Sequence, residues 1–503
     1  METKKILVRG VNWIGDAVMT LPAITAIRKF YPDARISLLV KSSVAPLFEN
    51  SPDIDEVLLY EERHSGIIGK LHLANVLRKK RFARAILLQN AFDAAFIAFL
   101  ARIPERVGYD RDSRKLLLTK PVEYKNQDRE VHHINYYLNL LKAAGIGAEY
   151  SRPWLRITLD ERLAARVRLS ELKRPVLGIN PGATFGSSKR WLPARFAEVA
   201  GWFIKETKGS VVIFGGNNEV QIAEEIYKQV PMNKLLLAGK TSLRELISLI
   251  TECDVFVTND SGPMHIAYAA GTPLVAIFGS TSAELTGPVG DGCAVVKADL
   301  DCSPCFERTC DKDYIRCMFA VTSEDVYSCV RKLLPVKRAV FFDRDGTLCK
   351  DANYLDKWEN FELLPGVERL KTLKEEGFEL IGVSNQSGIA KGLIKEDFVK
   401  EVNRLFIDTY GFTDFFYCPH NPSDKCPCRK PEPKMLCKAR AAYGIDLKRS
   451  FVVGDKDVDM LLAKAAGARG ILVRTGQQNE SAHSDAIVDD LDSAIKYILK
   501  WKE

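Results

Sequence analysis

The chain has 503 residues, 46% of them hydrophobic and 27% charged, with a net charge of +7. These proportions exclude a disordered or fibrous chain, and the length predicts about three domains. No window of about 18 apolar residues occurs, which excludes a membrane-spanning helix. Met1-Glu2-Thr3-Lys4-Lys5-Ile6 runs toward a strand with no signal-peptide core or cleavage site. The expectation is a cytoplasmic chain whose twelve cysteines stay reduced. Charge is unevenly placed: Arg63 to Lys120 holds 13 Lys/Arg against 4 Asp/Glu, a surplus of 9. Such a window is either a solvated face or a surface for nucleic acid, acidic lipid or a phosphorylated glycan.

Ile6-Leu7-Val8-Arg9-Gly10 reads as a strand leading through Asn12-Trp13-Ile14-Gly15-Asp16 into a helix from about Ala17 to Phe30. Strands near 35–40, 56–60 and 85–89 follow, the last running into a packed helix that ends before Ile103. A second series opens at Pro175-Val176-Leu177-Gly178-Ile179-Asn180-Pro181-Gly182 and continues with strands at 210–214, 234–237, 254–257 and 273–277. Strand–helix alternation with short connections predicts two parallel, doubly wound sheets with a cleft between them. The small-residue loop Asn180 to Trp191 either holds a pyrophosphate through backbone N–H groups, Thr184 and Lys189, or merely connects. Asn259-Asp260-Ser261-Gly262-Pro263-Met264-His265 gathers a carboxylate, a hydroxyl, bare backbone and an imidazole at one strand end. An N-cap followed by a core histidine is the plainer alternative. Cys302-x2-Cys305-x4-Cys310-x6-Cys317 holds zinc or is a set of free thiols. A helix over Val326 to Leu334 and a short joint, Pro335-Val336-Lys337-Arg338, close this part.

Asn12-Trp13-Ile14-Gly15-Asp16, Lys189-Arg190-Trp191-Leu192-Pro193 and Asp260-Ser261-Gly262-Pro263-Met264-His265 occur in that order, and on them the first 335 residues resemble the lipopolysaccharide heptosyltransferases. The resemblance implies a GT-B fold and inverting, metal-independent transfer of heptose from ADP-heptose to the lipid A–Kdo/heptose core. It implies Asp16 as general base, and Thr184 and Lys189 on the donor pyrophosphate. Glu219 matches a donor-binding acid, and Asp260, Ser261, Gly262 and His265 would line the donor. The basic window then faces an acidic glycolipid at the inner membrane by peripheral, electrostatic contact, with no nucleic acid involved. The asparagine-tryptophan start and the cysteine cluster lean toward addition of the second heptose.

In the last third, Ala339 to Phe342 reads as a buried strand ending in Asp343-Arg344-Asp345-Gly346-Thr347. Asp343 is placed to attack phosphorus, and Asp345 to protonate the leaving oxygen and then activate water; a capped Asx turn is the plainer reading. Phe378 to Val383 is a second strand ending in Ser384-Asn385-Gln386-Ser387-Gly388, and Phe451-Val452-Val453-Gly454-Asp455-Lys456-Asp457 a third. Arg429-Lys430-Pro431 adds fixed positive charge. Cys418-x-His420-x5-Cys426-x-Cys428 is a Cys₃His set suited to structural zinc, while Cys437 reads as a buried helix thiol.

This set resembles the haloacid-dehalogenase superfamily. The resemblance implies Asp343 as nucleophile, Asp345 as acid/base, and Mg²⁺ held by Asp343, the Asp345 carbonyl and Asp455. Ser384 and Lys430 would bind phosphate, with Thr347, Asn385, Arg429 and Lys456 beside them. The zinc loop is similar to that of phosphatases acting on D-glycero-D-manno-heptose 1,7-bisphosphate or on histidinol phosphate, and heptose chemistry in the first part favours the former. The expected architecture is α/β throughout. Residues 1–168 and 169–335 are the acceptor-side and ADP-heptose-binding Rossmann-like domains of a GT-B fold, and 336–503 is a capless HAD-like Rossmannoid phosphatase. A histidinol phosphatase in the last third, or a glycan-binding module without transfer in the first two, are the alternatives.

Overall fold

Runs such as Ile6-Leu7-Val8 and Val340-Phe341-Phe342 are almost completely buried, as strands covered on both faces must be. In the computed structural model, which describes residues 4–312 and 314–501, they form three six-stranded, all-parallel sheets. The first contains β1 (Lys5–Arg9), β2 (Arg35–Lys41), β3 (Glu56–Tyr60), β4 (Arg84–Leu87), β5 (Glu105–Tyr109) and β6 (Lys120–Val122). The second contains β7 (Val176–Asn180), β8 (Ser210–Ile213), β9 (Lys234–Leu236), β10 (Val255–Asn259), β11 (Leu274–Phe278) and β12 (Cys293–Lys297). The third contains β13 (Arg338–Phe342), β14 (Phe378–Asn385), β15 (Asp414–Cys418), β16 (Phe451–Gly454), β17 (Arg469–Val473) and β18 (Ala486–Val488). Met1, Glu2 and Thr3, read as the run into β1, lie outside the described residues.

The strand order is the same in all three: β3-β2-β1-β4-β5-β6, β12-β11-β10-β7-β8-β9 and β15-β14-β13-β16-β17-β18. Each sheet therefore reverses direction next to its first strand, opening a crevice at the carboxyl ends of β1/β4, β7/β10 and β13/β16. Asp16, Lys189 with Asp260, and Asp343 with Asp455 all follow those strands.

Two units emerge, Met1–Lys332 and Leu333–Glu503. The joint expected at 335–338 is already part of the second: Val336 and Lys337 donate backbone N–H to the Gly444 carbonyl, and Arg338 opens β13. The helix expected over Ala17–Phe30 starts earlier and is interrupted. It consists of α1 (Ile14–Met19) and α2 (Leu21–Phe30) with Thr20 between them; Pro22 has no N–H to continue the ladder. β5, β6, β12, β15, β17 and β18 were not anticipated; most are sheet-flank strands with polar residues among the apolar ones, so their sequence pattern is weak. Between β13 and β14 there are only short helical turns and Lys371–Glu375, with no separate cap. Among the described residues no helix is long and apolar enough to cross a membrane.

Candidate active sites

In the second unit, Asp343 leaves β13 with its N–H donated to the Val453 carbonyl, which ties the loop to β16. Gly346 follows at φ +92°, and a Cβ there would lie 2.5 Å from Asp455 Oδ2; the loop can press onto the neighbouring carboxylate only as glycine. Asp345 is gripped by Arg344, whose Nε and Nη2 donate to its two oxygens at 3.0 Å, and by Gln386 Nε2 at 2.7 Å. Gln386 also donates to Ser384 Oγ at 2.7 Å. The Thr347 hydroxyl is buried without a partner among the described residues.

Lys430 is the hub. Its buried ammonium donates to Asp343 Oδ1 at 2.7 Å, Asp459 Oδ1 at 2.6 Å and the Val383 carbonyl at 2.9 Å. The loop carrying it is pinned by Asn385, whose Oδ1 accepts the Lys430 N–H at 3.0 Å. Burial pushes Asp343 up to about 7, opposed by Lys430 and reinforced by Asp459, Asp455 and Asp345. Lys430 is lowered by burial, but Asp343 and Asp459 outweigh that and hold it above the ordinary lysine range. Asp455 is likewise raised, first by burial. Lys456 lies beside Asp351 at 3.2 Å and Asp455 at 3.8 Å. Arg429 Nη1 is buried with no partner among the described residues, a donor left for an anion.

Asp343, Asp455 and Asp459 each offer an oxygen within 4.8 Å of the others, and among the described residues Asp455 Oδ1 is buried with no hydrogen bond. Lys430, with Lys456 at 3.8 Å from Asp455, still leaves three buried carboxylates short of positive charge. Asp343 and Asp455 therefore fit a hard divalent cation with oxygen ligands, while Asp459 is taken up by Lys430 and the Lys456 N–H. Asp459 and Gln386 were not picked out from the sequence. Asp459 stands four residues after Asp455 at a strand-to-helix junction, which places both near one helix N-terminus and was the available signal.

The cysteine loop folds as a ligand set. Cys418 Sγ lies 3.6 Å from His420 Nδ1 and 3.3 Å from Cys426 Sγ; Cys428 Sγ lies 3.4 Å from Cys426 Sγ and 3.3 Å from His420 Nδ1. Such separations are close to the edges of a tetrahedron about a zinc ion. The thiols share charge unequally: hydrogen bonds from Cys418 and Cys428 depress Cys426 strongly, while Cys418 is raised. Cys437, expected to be buried, is only half-buried on its helix, because its position falls beside rather than on the buried face of Met435, Leu436 and Ala439.

In the first unit, the loops after β1, β7 and β10 meet. A Cβ at Gly15 would lie 2.6 Å from the His265 ring, and one at Gly262 3.0 Å from Ile14. The approach of α1 to the helix Gly262–Ala270 thus depends on two bare backbones. Asp16, in the first turn of α1, is half-exposed beside His133 at 3.8 Å. His265 is buried and pushed down to about 4, chiefly by loss of solvation, so it is neutral at neutral pH. Lys189 Nζ lies 2.5 Å from Asp260 Oδ2, which also accepts from Thr281 Oγ1 at 2.6 Å. Ser261 Oγ is 3.1 Å from Thr258 Oγ1, and Ser261 stands at the N-cap of the helix Gly262–Ala270 with no side-chain capping bond, its carbonyl accepting the Met264 N–H. Thr184 is exposed on the loop. Glu219 accepts the Gly216 N–H at 2.8 Å and packs against Gly182.

The Cys302–Cys317 sulfurs form no metal-ligand group among the described residues. The loop they sit on braces the donor loop: Ser188 N–H donates to the Arg308 carbonyl and Ser188 Oγ to the Glu307 carbonyl. Part of the basic window is consumed internally, with Arg114 buried against the Tyr109 and Gln89 carbonyls and Arg84 and Lys120 on Glu105.

Residues 70–315 match the family model of glycosyltransferase family 9 (heptosyltransferase), and residues 427–494 that of HAD-hydrolase-like proteins. The chain is 32% identical over 308 residues to lipopolysaccharide heptosyltransferase 2 of Salmonella typhimurium, covering 58% of this chain and 88% of that protein. It is 37% identical over 171 residues to D-glycero-alpha-D-manno-heptose-1,7-bisphosphate 7-phosphatase of Photorhabdus laumondii, covering 30% of this chain and 91% of that protein. The solved structure of E. coli ADP-heptose LPS heptosyltransferase II aligns with TM-score 0.57 and 30% identity over 66% of this chain and 98% of that one. The chain thus joins two enzymes: its first part belongs to the glycosyltransferase family 9 heptosyltransferases and its last third to the HAD-like heptose-bisphosphate phosphatases.

Proposed function

We propose that the chain serves lipopolysaccharide inner-core synthesis twice, transferring heptose from ADP-heptose to the lipid A–Kdo/heptose acceptor and removing the 7-phosphate of D-glycero-D-manno-heptose 1,7-bisphosphate. The observation that carries it is the pairing of a glycosyl-transfer crevice with a carboxylate–lysine phosphatase crevice on one chain, each at a sheet's switch point. In transfer, Asp16 takes the acceptor hydroxyl proton, and the acceptor oxygen bonds to the anomeric carbon opposite the departing ADP, inverting it. Lys189, positioned by Asp260, and the N-terminus of the helix Gly262–Ala270 meet the negative charge on ADP. Thr184, Glu219 and His265 shape the donor pocket. The acceptor is met at the cytoplasmic face of the inner membrane by peripheral contact.

In the phosphatase, Asp343 attacks phosphorus and the bond to the sugar oxygen breaks. Asp345, fixed by Arg344 and Gln386, protonates that oxygen. It then takes a proton from the water that hydrolyses the aspartyl-phosphate. Lys430, Ser384 and Arg429, whose Nη1 has no partner among the described residues, hold the phosphoryl oxygens. Asp343 and Asp455 would hold Mg²⁺, which supplies positive charge against the phosphate when bound. Cys418, His420, Cys426 and Cys428 would hold structural zinc and so set the place of Arg429 and Lys430.

The test is phosphate release from both anomers of heptose 1,7-bisphosphate and from histidinol phosphate, alongside ADP release from ADP-heptose with acceptor. Asp343→Asn is expected to abolish only the first activity and Asp16→Asn only the second. Preference for histidinol phosphate would separate the two halves into different pathways.

A further inference from the structure

The outer face of the helix α3 (Gly66–Lys80) has no counterpart in the chemistry above. Its inner stripe, Leu73, Ala74 and Leu77, already supplies the core. Yet Ile67 is 72% exposed and Ile68 84%, with Leu71 on the same side one turn later. The neighbouring helix α4 (Phe92–Leu100) packs on α3 and adds exposed Phe92, and the turn after β5 packs on α4 and adds Leu116, 93% exposed. Single exposed apolar residues are ordinary; several large ones on adjoining elements are not. Arg78 and Lys79 on α3 are exposed, as are Arg63 before it, which pairs with Glu61 at 2.5 Å, and Lys115 beside Leu116, 3.9 Å from Asp110. α3, α4 and the turn all leave the sheet edge from which the Asn12–Asp16 loop also leaves.

We propose that Ile67, Ile68, Leu71, Phe92 and Leu116 form the surface by which the chain sits on an anionic lipid bilayer, the apolar side chains entering the headgroup region and Arg63, Arg78, Lys79 and Lys115 meeting lipid phosphates. This rests on the reading of the acceptor as a glycolipid. An apolar face flanked by lysine and arginine is the composition that binds in the plane of such an interface. Its position on the edge that carries Asp16 lets an acceptor sugar reach the base while its acyl chains stay in the membrane. Charge complementarity selects an anionic bilayer over a protein partner, since α3 carries no acidic residue.

The test is flotation of the full chain with phosphatidylcholine vesicles with and without phosphatidylglycerol, for the native protein, Ile67→Ser/Ile68→Ser/Leu116→Ser, and Val167→Ser. Val167 is equally exposed, on the helix Leu159–Arg168. The native chain and Val167→Ser should bind the anionic vesicles, and the triple variant at least about tenfold more weakly. Transfer to a deacylated, water-soluble acceptor should be equal in all three. Absence of native binding, or native-like binding by the triple variant, would overturn the surface. Loss of transfer to the soluble acceptor in every protein, with vesicle binding intact, would instead overturn the glycolipid reading and with it the use assigned to this face.

Discussion

Replacing Lys430 by methionine keeps the length of the side chain and removes the ammonium shared by Asp343 and Asp459. Three hydrogen bonds vanish, to Asp343, Asp459 and the Val383 carbonyl, and Asp343, Asp455 and Asp459 remain buried together. Breaking a buried pair from one side destabilises by about 3–5 kcal/mol. For a unit of this length that lowers the melting temperature by roughly 6–20 °C. The nucleophile suffers separately. Asp343 stands at about 7 with Lys430 in place; without the opposing ammonium it moves higher, and less of it is the carboxylate that attacks. Phosphate release should fall by at least about 10²-fold. Scanning calorimetry with and without Mg²⁺ identifies the transition to follow, since divalent charge should recover part of the loss. Adding Asp459→Leu should recover further stability but no activity. A Lys430→Met transition within about 2 °C of the native one would refute the account of the clamp.

Other outcomes follow from the same geometry. Chelation of zinc, or Cys426→Ser, should lower phosphate release and the Mg²⁺-responsive melting temperature together, with heptose transfer unchanged; metal analysis before and after chelation checks it. Gly15→Ala forces a Cβ to 2.6 Å from His265, an overpacking of about 1–3 kcal/mol, and should depress ADP release while leaving phosphate release intact. His265 is held at about 4 when folded and returns to about 6.5 when unfolded. The unfolded state therefore binds the extra proton: the contribution is whole above about pH 6.5 and is lost as pH falls toward 4, reaching about 2 kcal/mol at pH 5. Melting curves from pH 7 to 5 should be less steep in pH for His265→Gln; equal slopes would remove His265 as the cause.

Much of this molecule was legible along the chain. Strands buried on both faces announce themselves as apolar runs, and where such a run stops at Asp343, Ser384 or Asp455 the chemistry is written beside it, because in parallel sheets strand ends are where ligands bind. The zinc-type loop was readable for a similar reason: Cys418, His420, Cys426 and Cys428 lie within eleven residues, so local geometry alone can gather them. The weaker flank strands β5, β12 and β17 were not readable, since their pairing is decided by neighbours distant in sequence.

The tertiary structure alone decided what lies across sequence gaps. Lys430 reaching Asp459, Gln386 reaching Asp345, Thr281 reaching Asp260 and Gly15 meeting His265 each join different strand ends. No periodicity encodes such contacts; the first three exist because parallel strands bring their carboxyl ends to one edge, and the fourth because the carboxyl ends of two sheets meet. The same holds for the cysteines at 302, 305, 310 and 317. Their spacing is compatible with a metal, and the fold shows in addition that their loop braces Ser188 through the Glu307 and Arg308 carbonyls. Local sequence determined the chemical groups and the elements that carry them. The packing of sheet edges determined which groups act together.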